Sequence, residues 1–377
     1  MLGEAVAVCS KTALIENYRQ LRRLARGAEI IAVVKANAYG HGLAPIATAL
    51  SSAGASRFAV ARLSEAIRLR TLLPNADILI LGSTEARYAP LLARHRLIQS
   101  VHGVAYAAAL SEVATEPIRA HLKLDCGMGR FGISLNKCGA MQEALATLSM
   151  PRLQFEAVFS HLPSADLPSA PETEAQRRAF RRFVEQLRSA GHPLPKHLSA
   201  SAGILRFGAD GDDLVRPGLA LYGYPPSESI SAEGFSPVLR LYAPVVAIRE
   251  LAKGERLGYG GAFTAPASMR VALLGIGYGD GIPRSLSGAT VFIGGRPCPI
   301  VGRICMDLTF AQLPPDVSVR VGELALLFGD GASTLFRLAA HADTVPYELL
   351  TSLSARLCRE VTPERISHEE KRTTPSE

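Results

Sequence analysis

The chain has 377 residues, enough for two domains or for one barrel with an extension. It is 48% hydrophobic and 20% charged, lacks tryptophan and has a formal net charge of +7. A charge excess of this kind bears on solubility and weak association, not on fold or function. No stretch reaches the roughly 18 uncharged apolar residues of a membrane helix, so we expect no membrane segment.

Three further features argue against export, a metal site and nucleic-acid binding. The N-terminus carries Glu4 and only a short apolar patch, unlike a signal peptide, so we expect a cytoplasmic protein. The six cysteines form no C-x-x-C pair and no zinc-like group with histidine, which predicts reduced thiols and no metal. The densest basic cluster has helical spacing beside apolar residues, which predicts a solvated helix face. Its members are Arg177, Arg178, Arg181 and Arg182.

From residue 30 to about residue 221, short apolar runs alternate with longer amphipathic patterns such as 63–73 and 176–190. The eight strand candidates are residues 30–34, 58–60, 78–81, 97–101, 118–124, 155–159, 197–200 and 214–216. Strands that alternate with helices pair in parallel through right-handed crossovers. Eight such units predict a (β/α)8 TIM-type barrel, whose chemistry lies at the carboxyl ends of the strands.

Past residue 226 the pattern changes to strand-like segments separated by Gly and Pro turns, which predicts a separate C-terminal all-β domain. The segments are 236–250, 270–277, 289–293, 298–310 and 323–328, followed by helical patterns at 334–342 and 346–357. We therefore expect a barrel of residues 10–232 and a β domain of residues 233–364. Residues 1–9 are expected to form a strand that packs with the β domain, and residues 365–377 a disordered tail.

Reactive residue types lie where a catalytic barrel would place them. Residues 30–42 read I-I-A-V-V-K-A-N-A-Y-G-H-G, an apolar run that ends at Lys35. Burial lowers the pKa of a lysine and makes it a nucleophile or base, whereas a solvated strand-end lysine is the ordinary alternative. Other reactive residues also lie at or just past strand candidates: Lys123 with Asp125, His161, Ser201 and Arg216.

The string V-V-K-A-N-A-Y-G-H-G closely resembles the pyridoxal-phosphate lysine segment of the alanine racemase family. Further strings of that family follow in order: H-L-K-L-D-C-G-M-G-R-F-G at 121–132, S-A-S-A-G at 199–203, V-R-P-G-L-A-L-Y-G at 215–223, L-G-Y-G at 257–260 and V-G-R-I-C-M-D at 301–307. G-Y-G-D-G at 277–281 and V-P-Y-E at 345–348 add to them. The resemblance covers nearly the whole chain. It implies a pyridoxal 5'-phosphate enzyme that works as a homodimer with shared active sites.

The resemblance also implies roles for single residues. Lys35 would bind the cofactor covalently and act as the base on one face of the substrate Cα. Tyr259 would be the acid/base on the opposite face, in contact with His161. Arg216 would donate to the pyridine nitrogen. Because arginine keeps its proton, that nitrogen stays an unprotonated acceptor, and the weaker electron sink favours racemisation over transamination.

Other positions would bind the ends of cofactor and substrate. By resemblance the phosphate contacts are Tyr39, Ser201, Gly203 or Gly218 with Leu219, and Tyr347. Arg130 would approach the phenolic oxygen of the cofactor and the substrate carboxylate. The backbone N–H of Met306, beside Asp307, would bind the same carboxylate. Lys123 matches a lysine that is carbamylated in family members, and the carbamate would orient Arg130.

The predicted reaction interconverts L- and D-alanine for peptidoglycan supply, and three alternatives remain. One is a racemase of another or a broader range of amino acids. A decarboxylase of the same architecture is expected to have glutamate in place of Arg216. A pyridoxal carrier made of a single barrel would need neither Tyr259 nor a β domain. Two positions depart from the family: Ala200 replaces a frequent asparagine, and Thr351 a frequent cysteine.

Overall fold

A computed structural model describes residues 3–167, 170–329 and 332–363, and the tail predicted from residue 365 lies outside them. The chain divides into two compact units. The barrel unit comprises Leu14–Ala38 and Leu43–Phe235. The β unit comprises Met1–Ala13, Tyr39–Gly42 and Ser236–Glu377. Residues 10–13 and 39–42, placed in the barrel by the predicted division, therefore belong to the β unit.

Eight parallel strands form the sheet of the barrel unit, and each pairs with its neighbour in the chain. They are Glu29–Val33, Arg57–Val60, Asp77–Ile80, Ile98–Val101, Ile118–Asp125, Leu153–Phe159, Lys196–His197 and Leu214–Val215; a short strand, Ile133–Ser134, pairs beside them. The strand Leu214–Val215 pairs with Glu29–Val33, and a bridge from Ala200 to Arg216 links the last two strands. The barrel is thus nearly closed, and the predicted (β/α)8 fold is confirmed.

The helices of this part of the chain cover the strands with apolar faces. They are Lys11–Leu24, Leu43–Ser52, Leu63–Leu72, Ala89–Arg94, Val104–Val113, Ala140–Leu148, Pro171–Ser189 and Ser201–Phe207. Pro171–Ser189 begins five residues before the predicted 176, because proline is well suited to a first helical turn. Among the described residues, no helix is long and apolar enough to cross a membrane.

The helix Pro171–Ser189 shows how sequence periodicity becomes packing. Phe180, Phe183, Val184 and Leu187 recur at helical spacing and join one core cluster with strand residues such as Leu122. The arginines on this helix are not all solvated, which corrects the predicted solvated face. Arg177 Nε donates to Asp210 Oδ2 at 2.7 Å, and its guanidinium lies 4.0 Å from the Phe207 ring centroid.

The β unit is mostly antiparallel, and the long strand Leu239–Leu251 is its centre. The other strands are Val6–Ser10, Arg256–Leu257, Phe263–Thr264, Met269–Leu274, Thr290–Ile293, Arg296–Pro299, Thr309–Leu313, Leu324–Phe328 and Cys358–Thr362, and the helices are Ala332–His341 and Pro346–Thr351. The central strand pairs with Val6–Ser10 and Leu324–Phe328 through its first half. After a register shift between Val245 and Ala247, its second half pairs with Met269–Leu274. One strand therefore pairs with different partners along its two halves, and the separate β domain is confirmed.

Two predicted elements of the β unit are wrong in extent. The segment 298–310 is two strands, Arg296–Pro299 and Thr309–Leu313, because the chain turns between them with Cys305 N–H bonded to Leu308 O at 2.9 Å. The predicted helix 346–357 ends at Thr351. Residues 352–357 form turns and bends in place of the last part of the predicted helix. They lead into the strand Cys358–Thr362, which pairs in parallel with Val6–Ser10.

Candidate active site

Lys35 stands at the start of a left-handed turn, two residues after the strand Glu29–Val33. Four consecutive non-glycine residues, 36–39, have φ between +51° and +55°. Such backbone is costly for residues with a Cβ, and it persists where the surroundings enforce it. Glu65 does so by accepting the Ala36 N–H at 2.7 Å. Burial and the Arg130 charge lower the pKa of Lys35, and the Glu65 carboxylate opposes that shift.

Arg216 follows the strand Leu214–Val215 and is only 4% exposed. Its Nη1 contacts the His197 Nδ1 at 2.6 Å and the His197 carbonyl at 2.9 Å. Its Nη2 donates to the carbonyls of Ser160 at 2.6 Å and Leu198 at 3.1 Å. These contacts use four of the five N–H donors of a guanidinium. Among the described residues, none accepts the fifth donor, Nε–H.

Phe159, at the end of the strand Leu153–Phe159, lies beneath two cations. Lys123 Nζ lies 4.4 Å and the Arg216 guanidinium carbon 5.1 Å from its ring centroid, both within cation–π range. His197 stacks on the same ring, with centroids 4.7 Å apart and planes 2° apart. Burial and the Arg216 charge lower the pKa of Lys123 to about 7.

His161 and the loop that carries Arg130 complete this end of the barrel. Burial, followed by the charges of Arg216, Lys123 and Arg130, lowers the pKa of His161 to about 3. The ring is therefore neutral at physiological pH. The Asp125 carboxylate accepts the N–H groups of three loop residues, 127–129, at 2.7–2.9 Å. It thereby orders the backbone that leads to Arg130.

The hydroxyl oxygen of Ser201 accepts two backbone hydrogen bonds, which hold the side chain in place. That oxygen accepts the Gly218 N–H at 2.9 Å and the Ala220 N–H at 3.2 Å, so its O–H remains as a donor. The Gly218 N–H, expected at the phosphate, is directed at Ser201 in this structure. Leu219 begins the short 3-10 helix Leu219–Tyr222. At Gly203, an added Cβ would lie 3.1 Å from the Ser199 Cβ, which explains the small residue there.

The remaining predicted site residues belong to the β unit: Tyr39, Tyr259, Met306, Asp307 and Tyr347. The Tyr39 and Tyr347 rings lie 6.2 Å apart at an angle of 46°, and burial raises the pKa of Tyr39. Tyr259 and Met306 are 70% and 52% exposed in the single chain. These two side chains are thus free to contact a second molecule.

The turn that carries Met306 and Asp307 is fixed by the motif G-Y-G-D-G. Tyr278 N–H and Gly279 N–H donate to the carbonyls of Cys305 at 3.0 Å and Met306 at 2.9 Å. A Cβ at Gly277 would lie 2.3 Å from the Cys305 carbonyl oxygen, so only glycine fits. Arg356 bonds both Asp280 and Asp307 at 2.7 Å, which joins the two segments.

Known proteins resemble this chain over nearly its whole length. The family "Alanine racemase, N-terminal domain" matches residues 9–226, and "Alanine racemase, C-terminal domain" matches residues 238–361. The chain belongs to the alanine racemase family. The predicted family and the predicted class of isomerase are thereby confirmed.

Individual members of the alanine racemase family give the degree of similarity. The alanine racemase of Pectobacterium atrosepticum is 39% identical over 361 residues, covering 94% of this chain and 98% of that protein. The biosynthetic alanine racemase of Escherichia coli is 38% identical over 359 residues, with the same coverage. The solved alanine racemase of Clostridium difficile has a TM-score of 0.90 at 30% identity, covering 97% of each chain. That of Pseudomonas aeruginosa has a TM-score of 0.85 at 33% identity, covering 96% of this chain and 100% of the other.

The residues of the barrel unit fit the cofactor that the family resemblance implies. A lysine with a lowered pKa can bond an aldehyde, and Lys35 is such a lysine. The unused Arg216 Nε–H suits a neutral ring nitrogen, and the free Ser201 O–H suits a phosphate oxygen. Several cations cluster here, as a phosphate- and carboxylate-binding site requires. These features match the groups of pyridoxal phosphate.

Sequence reasoning missed four residues of the site: Glu65, His121, Phe159 and His197. Their contacts join residues far apart in the chain. Glu65 bonds Ala36, and His197 bonds His121 across 76 positions. The available signal was a polar side chain on a barrel strand, since His121 and His197 both lie within strand candidates. A histidine inside a barrel must have a hydrogen-bond partner, and the search for that partner leads to Arg216.

Proposed function

We propose that this chain interconverts L- and D-alanine with pyridoxal 5'-phosphate held by the barrel unit. Arg216 carries the proposal, because a buried guanidinium with one donor left suits an unprotonated ring nitrogen. Burial lowers the pKa of Arg216 to about 10, so the group stays charged at neutral pH. An arginine at this position also argues against a decarboxylase, for which we expect glutamate.

The residues of this chain divide the proton transfer between two faces. When bound, pyridoxal phosphate supplies the electron sink that makes a Cα–H acidic enough to be removed. The lowered pKa of Lys35 favours a neutral amine, so its Nζ accepts a proton on one face. The hydroxyl of Tyr259 exchanges a proton on the other face, and neutral His161 orients it by a hydrogen bond.

The substrate carboxylate is bound by Arg130 and by the backbone N–H of Met306. We assign Lys123 the supporting role of carbamate. Its pKa of about 7 leaves a substantial neutral fraction at physiological pH. A neutral amine adds CO2 with release of one proton, which turns the cation into an anion that can hold Arg130. Asp307, bonded to Arg356, keeps the Met306 turn in place.

The proposed assembly is a homodimer with shared sites, in which Tyr259 and Met306 of one copy serve the cofactor of the other. Support comes from the exposure of both side chains in the single chain and from the family resemblance. The proposed role is supply of D-alanine for peptidoglycan in the cytoplasm. The name of the Escherichia coli relative, a biosynthetic alanine racemase, supports the biosynthetic part.

The test uses purified protein loaded with pyridoxal phosphate. We expect racemisation of L-alanine well above that of other amino acids, and we expect borohydride to fix the cofactor on Lys35. Lys35→Ala should abolish both, whereas Lys196→Ala, a matched change of a lysine outside the site, should change neither. No racemisation, or cofactor fixed on another lysine, would overturn the proposal. If another amino acid is racemised faster than alanine, that amino acid replaces alanine as the proposed substrate.

A further inference from the structure

A chain of three buried groups runs through the interior of the barrel unit. Arg216 Nη1 contacts His197 Nδ1 at 2.6 Å, and His197 Nε2 contacts His121 Nδ1 at 3.0 Å. Arg216, His197 and His121 are 4%, 0% and 2% exposed. The second contact joins the strands Lys196–His197 and Ile118–Asp125. His121 has no role in the proposed reaction so far.

Arg216 determines which ring nitrogen is protonated in His197 and in His121. A guanidinium can only donate, so the Nδ1 of His197 must be an acceptor. A neutral His197 then carries its single ring proton on Nε2 and donates it to His121. The Nδ1 of His121 must in turn be an acceptor, which places its proton on Nε2. Reversing either tautomer would leave two donors or two acceptors facing each other.

Both rings are kept neutral by their surroundings. The groups that act on His121 are Arg57, Arg119, Arg216 and Asp77, and three of these four are cations. Burial and these cations lower the pKa of His121 to about 3. Burial and the charge of Arg216 likewise hold the pKa of His197 well below its usual range. Neither ring gains or loses a proton near neutral pH. The two histidines can therefore affect Arg216 only by fixing its orientation.

The stack on Phe159 does not by itself orient His197. A ring turned by half a turn about its Cβ–Cγ bond would stay parallel to Phe159 at the same distance. It would then direct a carbon, Cδ2, at Arg216 in place of Nδ1. Only the hydrogen bonds at the two ends of the ring distinguish the two orientations. The His121 end is therefore one of the two contacts that hold His197, and through it the guanidinium, in this orientation.

We infer that His121 is a positioning residue: by accepting the His197 Nε2–H it fixes the ring that holds Arg216, so that Arg216 Nε–H is directed at the cofactor nitrogen. The inference rests on the proposed function, because that function gives the Nε–H its ligand. It predicts that losing the acceptor at position 121 loosens Arg216. Control of the ring nitrogen, and with it the choice between racemisation and transamination, should then weaken.

The test compares His121→Leu, which removes the acceptor, with His121→Asn, whose amide oxygen can occupy the position of Nδ1. In His121→Leu we expect kcat to fall about tenfold, equivalent to one lost buried hydrogen bond, with KM nearly unchanged. The fraction of turnovers that yield pyruvate by transamination should rise by a similar factor. His121→Asn should recover most of both losses. Equal melting temperatures of the wild type and the two variants would separate this effect from general destabilisation.

A second measurement does not depend on activity. Nitrogen chemical shifts of isotope-labelled histidine in the cofactor-free protein report which ring nitrogen is protonated. We expect Nδ1 of His197 to be unprotonated in the wild type and both tautomers to appear in His121→Leu. A proton on Nδ1 of His197 in the wild type would overturn the inference even if His121→Leu does not fold. A folded His121→Leu enzyme that yields no more pyruvate per turnover than the wild type would also overturn the inference. In both cases the proposed function stands, since it fails only if the wild type does not racemise or binds the cofactor through a lysine other than Lys35.

Discussion

Arg216 shows how much one residue depends on its surroundings. A buried guanidinium is tolerated only when its donors are satisfied, and four of them bond three carbonyls and one imidazole nitrogen. No carboxylate bonds it directly among the described residues. The lack of a bonded counter-ion leaves its charge available to a ligand, which is the condition that the proposed chemistry requires.

Replacing this arginine should change the outcome of the reaction. We expect Arg216→Glu to lower racemisation by about two to three orders of magnitude, as loss of a preorganised electrostatic partner does. Pyruvate formation should rise, because a carboxyl group favours a protonated ring nitrogen. Chiral analysis of alanine and a pyruvate assay measure the two products. Arg216→Lys, which keeps the charge, is the matched control. Near-normal racemisation by Arg216→Glu would refute the role.

At the scale of elements, the left-handed turn after Lys35 depends on contacts from other segments. The Glu65 carboxylate accepts three backbone N–H groups, those of Ala36, Ala61 and Arg62, at 2.7–3.1 Å. It therefore joins the turn to the start of the helix Leu63–Leu72. Gly40 ends the turn, and an added Cβ there would lie 1.9 Å from the Leu350 carbonyl oxygen.

We expect Glu65→Gln to destabilise this turn, because one accepting oxygen becomes an NH2 group that faces backbone donors. The free energy of unfolding should fall by about 1–3 kcal/mol. The pKa of Lys35 should fall further, since the Glu65 charge raises it. Denaturant unfolding and the pH dependence of cofactor binding measure the two effects. Exposed Glu116→Gln should stay within about 0.5 kcal/mol of wild type. An equal effect of both changes would count against the role of Glu65.

At the scale of the whole molecule, buried neutral histidines make stability depend on pH. The pKa of His121 is about 3 in the folded chain and about 6.5 in an unfolded one. Between these values the unfolded chain binds more protons, so stability rises with pH and is lost on acidification. From pH 6.5 to pH 5 the loss is about 1.6 kcal/mol for each such histidine.

Melting temperatures measured across this range should therefore fall as the pH falls. His121→Asn removes one titrating group, so its melting temperature should fall less steeply than that of the wild type. His192→Asn, at a position that is only partly buried, is the matched control and should keep the wild-type slope. If the His121 and His192 variants have the same slope, His121 is not the neutral buried group described here.

Shared active sites can be tested by mixing inactive variants. Lys35→Ala and Tyr259→Phe should each be nearly inactive as homodimers. In a mixed dimer one site receives both lesions and the other receives neither, so co-refolding should restore up to one working site per heterodimer. Each variant refolded alone is the control. If both residues served one site from the same chain, every site would keep a lesion and no activity would return.

The sequence by itself determined the class of fold and the family. Alternation of apolar runs with amphipathic stretches is a local pattern, and the eight predicted barrel strands lie within a few residues of the observed ones. The residues proposed to carry the chemistry, such as Lys35 and Arg216, were predicted because they lie inside strings typical of the family at strand ends. Local patterns of this kind can be predicted from the sequence because they depend only on residues that are close together in the chain.

The tertiary structure decided the pairings that no local pattern contains. His121 and His197 are 76 positions apart, and Glu65 is 29 positions from Ala36, so their hydrogen bonds exist only because the strands pair side by side in one sheet. The predicted helix 346–357 ends at Thr351, and the strand Cys358–Thr362 that follows pairs in parallel with Val6–Ser10. A long-range hydrogen bond is set by the geometry of the fold, whereas periodicity reports only which face of an element is apolar.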